Sequence, residues 1–346
     1  MAETPAPSAK ISVVEPADYE RVAAYLAAYP GEKRAADVWR ERFGLWWEGN
    51  PAFGGDVERG WVLRDGERVV GFLGNVPTWF QTPRGVVRGY TASTWRVDEP
   101  YRKKSVSLYL RQVANAREGI LFNTTANENV KSVLEALSFS KLPPSRTGKN
   151  TFLALRFPLS LAQAPLLAWL ALGAARAGGE VREVTRADSA FDTLWDSTRG
   201  LYPFTSVRSS QVLNWFCFSA PAFSKRLLGY YEDGRLLGYV ACFSSDWRGY
   251  RVWECLDLWA VGGERRVAVT RALVRAAIAA AGRETFFVLP HFSADLADVY
   301  GPLGRAFAKP SVRRHYYKAG GDGVEAPRED AADQVYFSAL EGDLAL

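Results

Sequence analysis

Apolar and polar positions alternate with period two in several short stretches and with helical period in longer ones, and the same order of stretches occurs in each half of the chain. The segment WWEGNPAFGGDVERGWVLRDGERVVGFLG (Trp46 to Gly74) is echoed by FCFSAPAFSKRLLGYYEDGRLLGYVA (Phe216 to Ala241). Each has Pro-Ala-Phe, an apolar run, an Asp-Gly pair, and a second apolar run with a glycine before an aromatic. Asp65-Gly66 and Asp233-Gly234 predict hairpin turns, because the pair tolerates positive φ and lets two strands fold back antiparallel. A third strand is expected over Val86 to Val97 and again over Arg251 to Val261. A basic loop follows in both halves, then a helix, SVSLYLRQVANAR or VAVTRALVRAAIAAAG. Leu108, Leu110 and Val113, or Ala272, Leu273 and Ala276 to Ala280, give these helices an apolar face. A short buried strand, Gly119 to Thr125 or Thr285 to Pro290, and a second helix ending near Phe139 or Phe307 complete each half. This internal repeat predicts an α/β fold with two mixed, mostly antiparallel sheets, each with helices on both faces.

The repeat divides the chain. Residues 1–10 read as a disordered leader, 11–150 as the first repeat, 151–180 as an apolar interdomain helix or linker, and 181–318 as the second repeat. Residues 319–346 read as a flexible Gly- and acid-rich segment followed by a terminal edge strand, DQVYFSAL, returning to the second sheet. The linker FPLSLAQAPLLAWLALGAA is uncharged and approaches the length of a membrane span, but Pro158 and Pro165 interrupt it and Ser160 and Gln163 are polar. A helix packed in an interdomain groove is expected, with peripheral membrane contact through 159–175 as the alternative.

Composition narrows the chemistry. The net charge of +5 is spread over 43 basic and 38 acidic residues, so no nucleic-acid partner is expected. Cys217, Cys242 and Cys255 are too scattered for a disulfide framework or a zinc site, and they point to a reducing, cytoplasmic compartment. With only His291 and His315, no metal cluster is expected, and any Ser/His/Asp mechanism must use one of the two. Twelve tryptophans form an aromatic surplus that either fills cores or lines a cleft.

The stretch VDEPYRKKSVSLYL carries the clearest candidate chemistry. A strand ending at Val97, a cationic turn and a helix beginning near Ser105 direct helix N-terminal amides and the helix dipole at one loop. Arg102, Lys103 and Lys104 add full charges, and Ser105, Val106 and Ser107 open the helix with two residues small enough for close approach of a phosphate. The loop is no Walker motif, and no G-x-G-x-x-G follows any strand. A solvated, serine-capped turn explains the same residues equally well.

The order of elements, with V-x-x-P-Y-R-x-x-S-x-S-x-x-L after the third strand of the hairpin unit and NENVKSVLEALSF after the next, resembles the GNAT superfamily of N-acetyltransferases. In that family the loop reads R/Q-x-x-G-x-G/A and binds the pyrophosphate of coenzyme A; the matching residues here are Arg102, Ser105 and Ser107. The later family motif places Asn127 and Phe139, but Leu134 stands where the family has the tyrosine that usually protonates the departing thiolate, and Ser138 replaces a glycine. The second repeat departs differently. It keeps Gly262, Gly263, Arg265 and Arg266 in the loop, puts Val267 near a position that is small in the family, and retains Tyr300 and Gly304.

The resemblance implies an acyltransferase using acetyl-CoA or another acyl-CoA, active in the first repeat on a small-molecule acceptor such as an amino sugar or polysaccharide precursor. Val97, Arg102, Lys103, Lys104, Ser105, Val106 and Ser107 would hold the cofactor. A strand amide near Arg96 and Val97 would polarise the thioester. A carboxylate or an oriented water must then deprotonate the acceptor. Ser93 and Thr94 can orient water, Asp98 is a nearby carboxylate or a turn cap, and Asn127 is a cofactor contact or a helix cap. Asp257, a carboxylate in the apolar strand of the second repeat, demands a partner or a role. Tyr300 is an acid or a packed ring. Two other readings stay open: a Fem-like transferase using aminoacyl-tRNA, and a non-catalytic binding module in which both repeats have degenerated.

Overall fold

The computed structural model describes residues 9–124, 126, 128–141, 149–156, 159–175, 178–282, 284–305, 307–310, 315–321, 323–327 and 332–343. In chain order its strands are β1 (Lys10–Val13), β2 (Gly60–Asp65), β3 (Arg68–Thr82), β4 (Gly85–Val97), β5 (Ile120–Asn123), β6 (Ser140–Lys141), β7 (Lys149–Ala154), β8 (Glu180–Val184), β9 (Thr205–Ser206), β10 (Arg226–Glu232), β11 (Arg235–Trp247), β12 (Tyr250–Ala260), β13 (Phe286–Pro290), β14 (Ala308–Pro310) and β15 (Tyr316–Ala319). The helices are α1 (Tyr19–Ala27), α2 (Ala36–Phe43), α3 (Ser105–Asn115), α4 (Glu128–Ala136), α5 (Ala164–Ala175), α6 (Ser189–Thr198), α7 (Ser210–Phe218), α8 (Arg265–Ala280), α9 (Leu296–Val299) and α10 (Pro302–Arg305).

Two mixed sheets result. The first runs β1-β2-β3-β4-β5-β15-β6, with β9 added to β3, and the second runs β14-β7-β13-β12-β11-β10-β8. Each contains the expected hairpin, third strand and parallel neighbour: β4 pairs β5 and β12 pairs β13 in parallel. Each sheet also takes a strand from the other half of the chain. β7 pairs β13, and β15 pairs β5. The short apolar strands β5 and β13 would otherwise show an unpaired edge, and the exchanged strands cover those edges.

The two hairpins turn at different residues. In the first, Asp65 pairs with Arg68, so Gly66 (φ +58°) and Glu67 form the loop. In the second, Glu232 pairs with Arg235, so Asp233 (φ +48°) and Gly234 (φ +76°) form it. Both use a left-handed glycine, as Asp-Gly requires, but shifted by one position.

Three expectations are corrected. Lys10 belongs to β1, paired with Arg64 of β2, and is not part of a leader. The linker begins within β7 of the second sheet, where the short apolar run Thr151–Ala154, mostly buried, pairs with β13, and only Ala164–Ala175 forms the helix α5. The segment DQVYFSAL forms no edge strand of the second sheet. It makes a single bridge, Val335 with Phe204, and then a 3-10 turn, because the Ser338 side chain and Glu341 close a capping box that winds the backbone.

The largest core joins the two units. Val62, Phe72 and Val76 of the first sheet pack in one cluster with Trp253, Leu258 and Trp259 of the second, and with Trp39, Trp46 and Trp47 from the segment around α2. The Trp215 indole donates to Leu45 O across the units at 2.7 Å. The opposite face of the first sheet is covered by α3 and α4 through Leu108, Tyr109, Leu134 and Phe139. Helix α5 packs on α8, burying Leu166 and Leu170, which contribute about 1.5–3 kcal/mol each. Among the described residues no helix is long and apolar enough to cross a membrane.

Candidate active site

β4 and β5 are paired only over Gly89–Thr91 against Ile120–Phe122. Beyond that register β4 continues along β3 to Val97, while β5 follows β15, so the sheet opens between Ser93 and Asn123. Thr94 and Trp95 together oppose the single residue Leu73, a bulge that leaves one residue outside the ladder. Thr94 takes φ +54°, a strained value for a β-branched residue, and strain of this kind gathers at functional sites. The bulge also resets the alternation of faces. Tyr90 and Ala92 belong to the cluster under α3, whereas Trp95 and Val97 face it after the bulge. Thr91 and Ser93 face the other unit.

On that inter-unit face a carboxylate meets Ser93. The hydroxyl of Ser93 donates to the carboxylate of Asp343, and Thr91 Oγ1 donates to Glu341 O at 2.5 Å. Gly342 lies so near Thr124 that a Cβ there would meet its hydroxyl at 3.0 Å. Arg42, buried between the rings of Trp39 and Trp46, donates to Asp343 O at 3.1 Å and lies 3.8 Å from the carboxylate. Burial pushes that guanidinium down to about 10, so it remains a cation at neutral pH. Local sequence offers Asp98 as the nearby carboxylate; the one that meets Ser93 comes instead from 250 positions away.

On the α3 face, four polar groups are buried without a hydrogen-bond partner: Trp95 Nε1, Tyr109 OH, Asn123 Oδ1 and Tyr316 OH. The Tyr109 ring lies tilted against Trp95 of β4, centroids 4.8 Å apart, and its hydroxyl is directed at Asn123, the last residue of β5, so the side chain spans the opening. Burial holds its phenol above the ordinary range. Each unsatisfied buried group costs about 1–3 kcal/mol, and such a cluster calls for a ligand or another explanation.

The cationic loop stands at the end of β4. Residues Glu99–Lys104 form a 3-10 turn that runs into α3, and the Ser105 amide is already donated to Arg102 O. The expected row of free helix amides is therefore shortened, and the loop's capacity to hold an anion rests on side chains. Arg102 is 69% exposed, with Glu99 only within 3.9 Å, and Lys103, Val106 and Ser107 are exposed. Ser105 is half-buried, Val97 is buried, and the ammonium of Lys104 is tied to Ala9 O. Asp98 points away from the opening: its carboxylate accepts from Arg68 at 2.9 Å beside a groove of about 450 Å³ lined by Tyr25 and Tyr29. These residues fit an extended thioester of coenzyme A, with exposed cations and small serines for its phosphates and unsatisfied polar groups for its arm.

The second unit opens in the same place and is filled. β12 and β13 are paired only over Val252–Glu254 against Phe286–Val288. Tyr336 enters the opening, donating its hydroxyl to Leu258 O, while the next residue donates its amide to Phe292 O at 2.8 Å. Asp257 is fully buried and bound bidentately by Arg208 at 3.0 and 3.1 Å, with Tyr239 OH on the same carboxylate at 2.6 Å. Both oxygens are thus occupied, and no acceptor can reach the carboxylate. Tyr300 is also buried and donates to Pro290 O at 3.1 Å, the packed-ring outcome. Arg265 pairs with Glu232 and Arg266 with Asp295, so the loop cations are used internally. Arg208 escaped notice in the sequence, because nothing around it marks it. Asn127 lies outside the described residues. Leu134 is buried in the α3 cluster and carries no polar atom toward the opening.

No protein-family model and no curated protein sequence matches the chain. Solved structures do. A conserved protein of Enterococcus faecalis V583, described as a probable N-acyltransferase, shares 10% identity over 90% of this chain and 73% of its own, with a TM-score of 0.59. A GCN5-related N-acetyltransferase from Kribbella flavida shares 14% over 91% and 71%, at 0.59. The N-myristoyltransferase of Saccharomyces cerevisiae with bound myristoyl-CoA shares 12% over 91% and 84%, at 0.57. The chain has the fold of the GCN5-related N-acetyltransferases, present as two GNAT-like units.

Proposed function

We propose that the chain transfers an acyl group from a coenzyme A thioester to an amine at the opening between β4 and β5. The observation that carries this reading is the pairing of Ser93 with Asp343 at that opening. The strand pair ends in a loop whose Arg102 and Lys103 are exposed for phosphate. The bulge at Thr94 and Trp95 supplies a backbone amide outside the ladder, suited to polarise a carbonyl placed in the opening. Asp343, oriented by Ser93 and balanced by Arg42, takes the proton that the acceptor nitrogen must lose as its bond to the acyl carbon forms. The acceptor approaches from the inter-unit face. Thr91, Ser93, Thr124, Arg42 and Asp343 make that face polar, which suits a small hydroxyl-bearing amine such as an amino sugar.

Calorimetric titration of the full chain with acetyl-CoA tests the reading. Saturable binding is expected, and Arg102→Glu should weaken it about tenfold or more, because an exposed cation is replaced by a repelling charge. An unmutated protein that releases no heat of binding would sink the proposal.

A further inference from the structure

Among the described residues, the three most exposed large apolar side chains are Leu161, Trp247 and Tyr250, at 61%, 52% and 50%. All three stand at one end of the second sheet. Trp247 and Tyr250 are the last pair of the β11–β12 ladder and flank the turn Arg248-Gly249. The turn projects, because β10 stops pairing with β11 at Cys242 and leaves Phe243–Trp247 beyond it, a reach of about 17 Å. Beside the turn, the Tyr250 ring meets Phe286 edge-on at 5.6 Å, and Phe286 is in register with Ala154 of β7. The Ala154 amide donates to Gln163 Oε1 at 2.9 Å, which ties the 3-10 turn Leu159–Gln163, and with it Leu161, to the same end of the sheet.

The charges at this end are mostly positive. Asp246 stands across the ladder from Arg251, and Glu284 lies 3.4 Å from the same guanidinium. Arg156 donates to the carbonyls of Gly282 and Glu284, and Arg248 sits outermost, over the Trp247 ring at 5.2 Å. Arg248 takes φ +51°, where glycine or asparagine would be at less cost, so the tip carries a cation in a position that disfavours it. We propose that this end of the second sheet docks on the surface of an anionic lipid bilayer, with Trp247, Tyr250 and Leu161 in the headgroup layer and Arg248 against lipid phosphate. Indole and phenol rings join an apolar face to a polar edge, the character that gathers at that layer, and a basic residue there is drawn to anionic lipid. Small molecules are held in concave sites, whereas a hairpin tip is a projection suited to a broad surface. Of the stretch 159–175 that the sequence offers for membrane contact, α5 is spent on α8, and Leu161 stays exposed.

Co-sedimentation of the full chain with vesicles of phosphatidylcholine, with and without phosphatidylglycerol, tests the proposal. The unmutated protein should bind the mixed vesicles, less so as salt is raised, and bind phosphatidylcholine alone far more weakly. Arg248→Gly should weaken binding to the mixed vesicles about fivefold, the effect of one basic residue near such a surface. Glycine suits the φ of that turn, so this variant keeps the fold and its urea midpoint should not fall. Replacing Trp247 and Tyr250 together by serine should weaken binding by about tenfold or more. An unmutated protein that stays in the supernatant, equal binding to both kinds of vesicle, or an Arg248→Gly variant that binds as the unmutated protein does would each overturn the proposal. Self-association in sedimentation velocity, lost in the double variant and without vesicle binding, would assign the surface to a second copy of the chain and overturn it as well. None of these outcomes bears on the acyl transfer proposed above.

Discussion

The two openings in the two sheets start from the same geometry and end in opposite conditions. In each, a parallel strand pair keeps register for three residues and then parts. In the first unit the parted strands flank a buried serine paired with Asp343, a strained threonine and a group of buried, unsatisfied polar atoms. In the second, the same space is filled by Tyr336 and closed beneath by the Arg208–Asp257 pair. The loops differ in the same sense, since Arg102 and Lys103 are exposed whereas Arg265 and Arg266 are paired. One short segment, 334–343, accounts for both conditions. It closes the second opening with Tyr336, is fixed by Glu341 accepting from Ser206 N at 3.0 Å and Ser338 N at 2.7 Å, and then brings Asp343 to the first. The second unit thus anchors the segment that carries Asp343 to Ser93 of the first.

The contrast is most strongly broken at Arg208. Its guanidinium holds Asp257, Thr205 Oγ1 and Ser206 O, and lies over the rings of Trp259 and Tyr336 at 4.3 and 4.7 Å. Arg208→Leu leaves Asp257 as an uncompensated buried charge, which costs about 3–5 kcal/mol. The urea unfolding midpoint should fall accordingly. Adding Asp257→Leu should restore much of the loss, because the stranded charge is then gone. A single variant as stable as the unmodified protein would show that the second opening does not depend on this pair.

Asp343→Asn sharpens the contrast from the other side. The amide can still meet Ser93, but it cannot accept a proton from an acceptor. Turnover of acetyl-CoA with a competent amine should fall about 10²-fold or more, with acetyl-CoA affinity unchanged. The expected split, a loss in kcat without a loss in binding, separates a base from a cofactor contact. A variant of unaltered kcat would remove Asp343 from the chemistry.

The period-two and helical patterns located β2 to β5 and α3, and again β10 to β13 and α8, because each of these elements buries one face on its own unit. Local sequence could also point to the cationic loop and to Ser93. It could not show the exchange of β7 and β15, since a four-residue strand such as Tyr316–Ala319 matches either sheet edge equally well. The pairing of Ser93 with Asp343 is hidden for the same reason: it joins residues 250 positions apart through a segment that holds only a bridge and short 3-10 turns. Asp257 was legible as a carboxylate in need of a partner, but Arg208, which satisfies it, sits in a loop with no pattern of its own. The helix amides were overread, because the turn preceding α3 continues the helix and consumes the Ser105 amide.

The smallest expected effect concerns the residue that follows the second parting strand. His291 is buried just beyond β13, where the first unit has Thr124 beyond β5, and its Nε2 lies 3.0 Å from Thr151 Oγ1. Burial, with some repulsion from Lys149, pulls its pKa down to about 4. An unfolded histidine titrates near 6.5, so between pH 6.5 and 4 the unfolded chain binds more protons than the folded one. Stability therefore falls as pH drops through that window, by about 2 kcal/mol between neutral pH and pH 5. His291→Gln, which can keep a hydrogen bond to Thr151 but cannot gain a proton, should remove this part of the acid sensitivity. Urea midpoints of both proteins at pH 7 and pH 5 measure the difference. If the two proteins lose stability in parallel, the imidazole is not held neutral, and the second opening is less thoroughly closed to water than its packing implies.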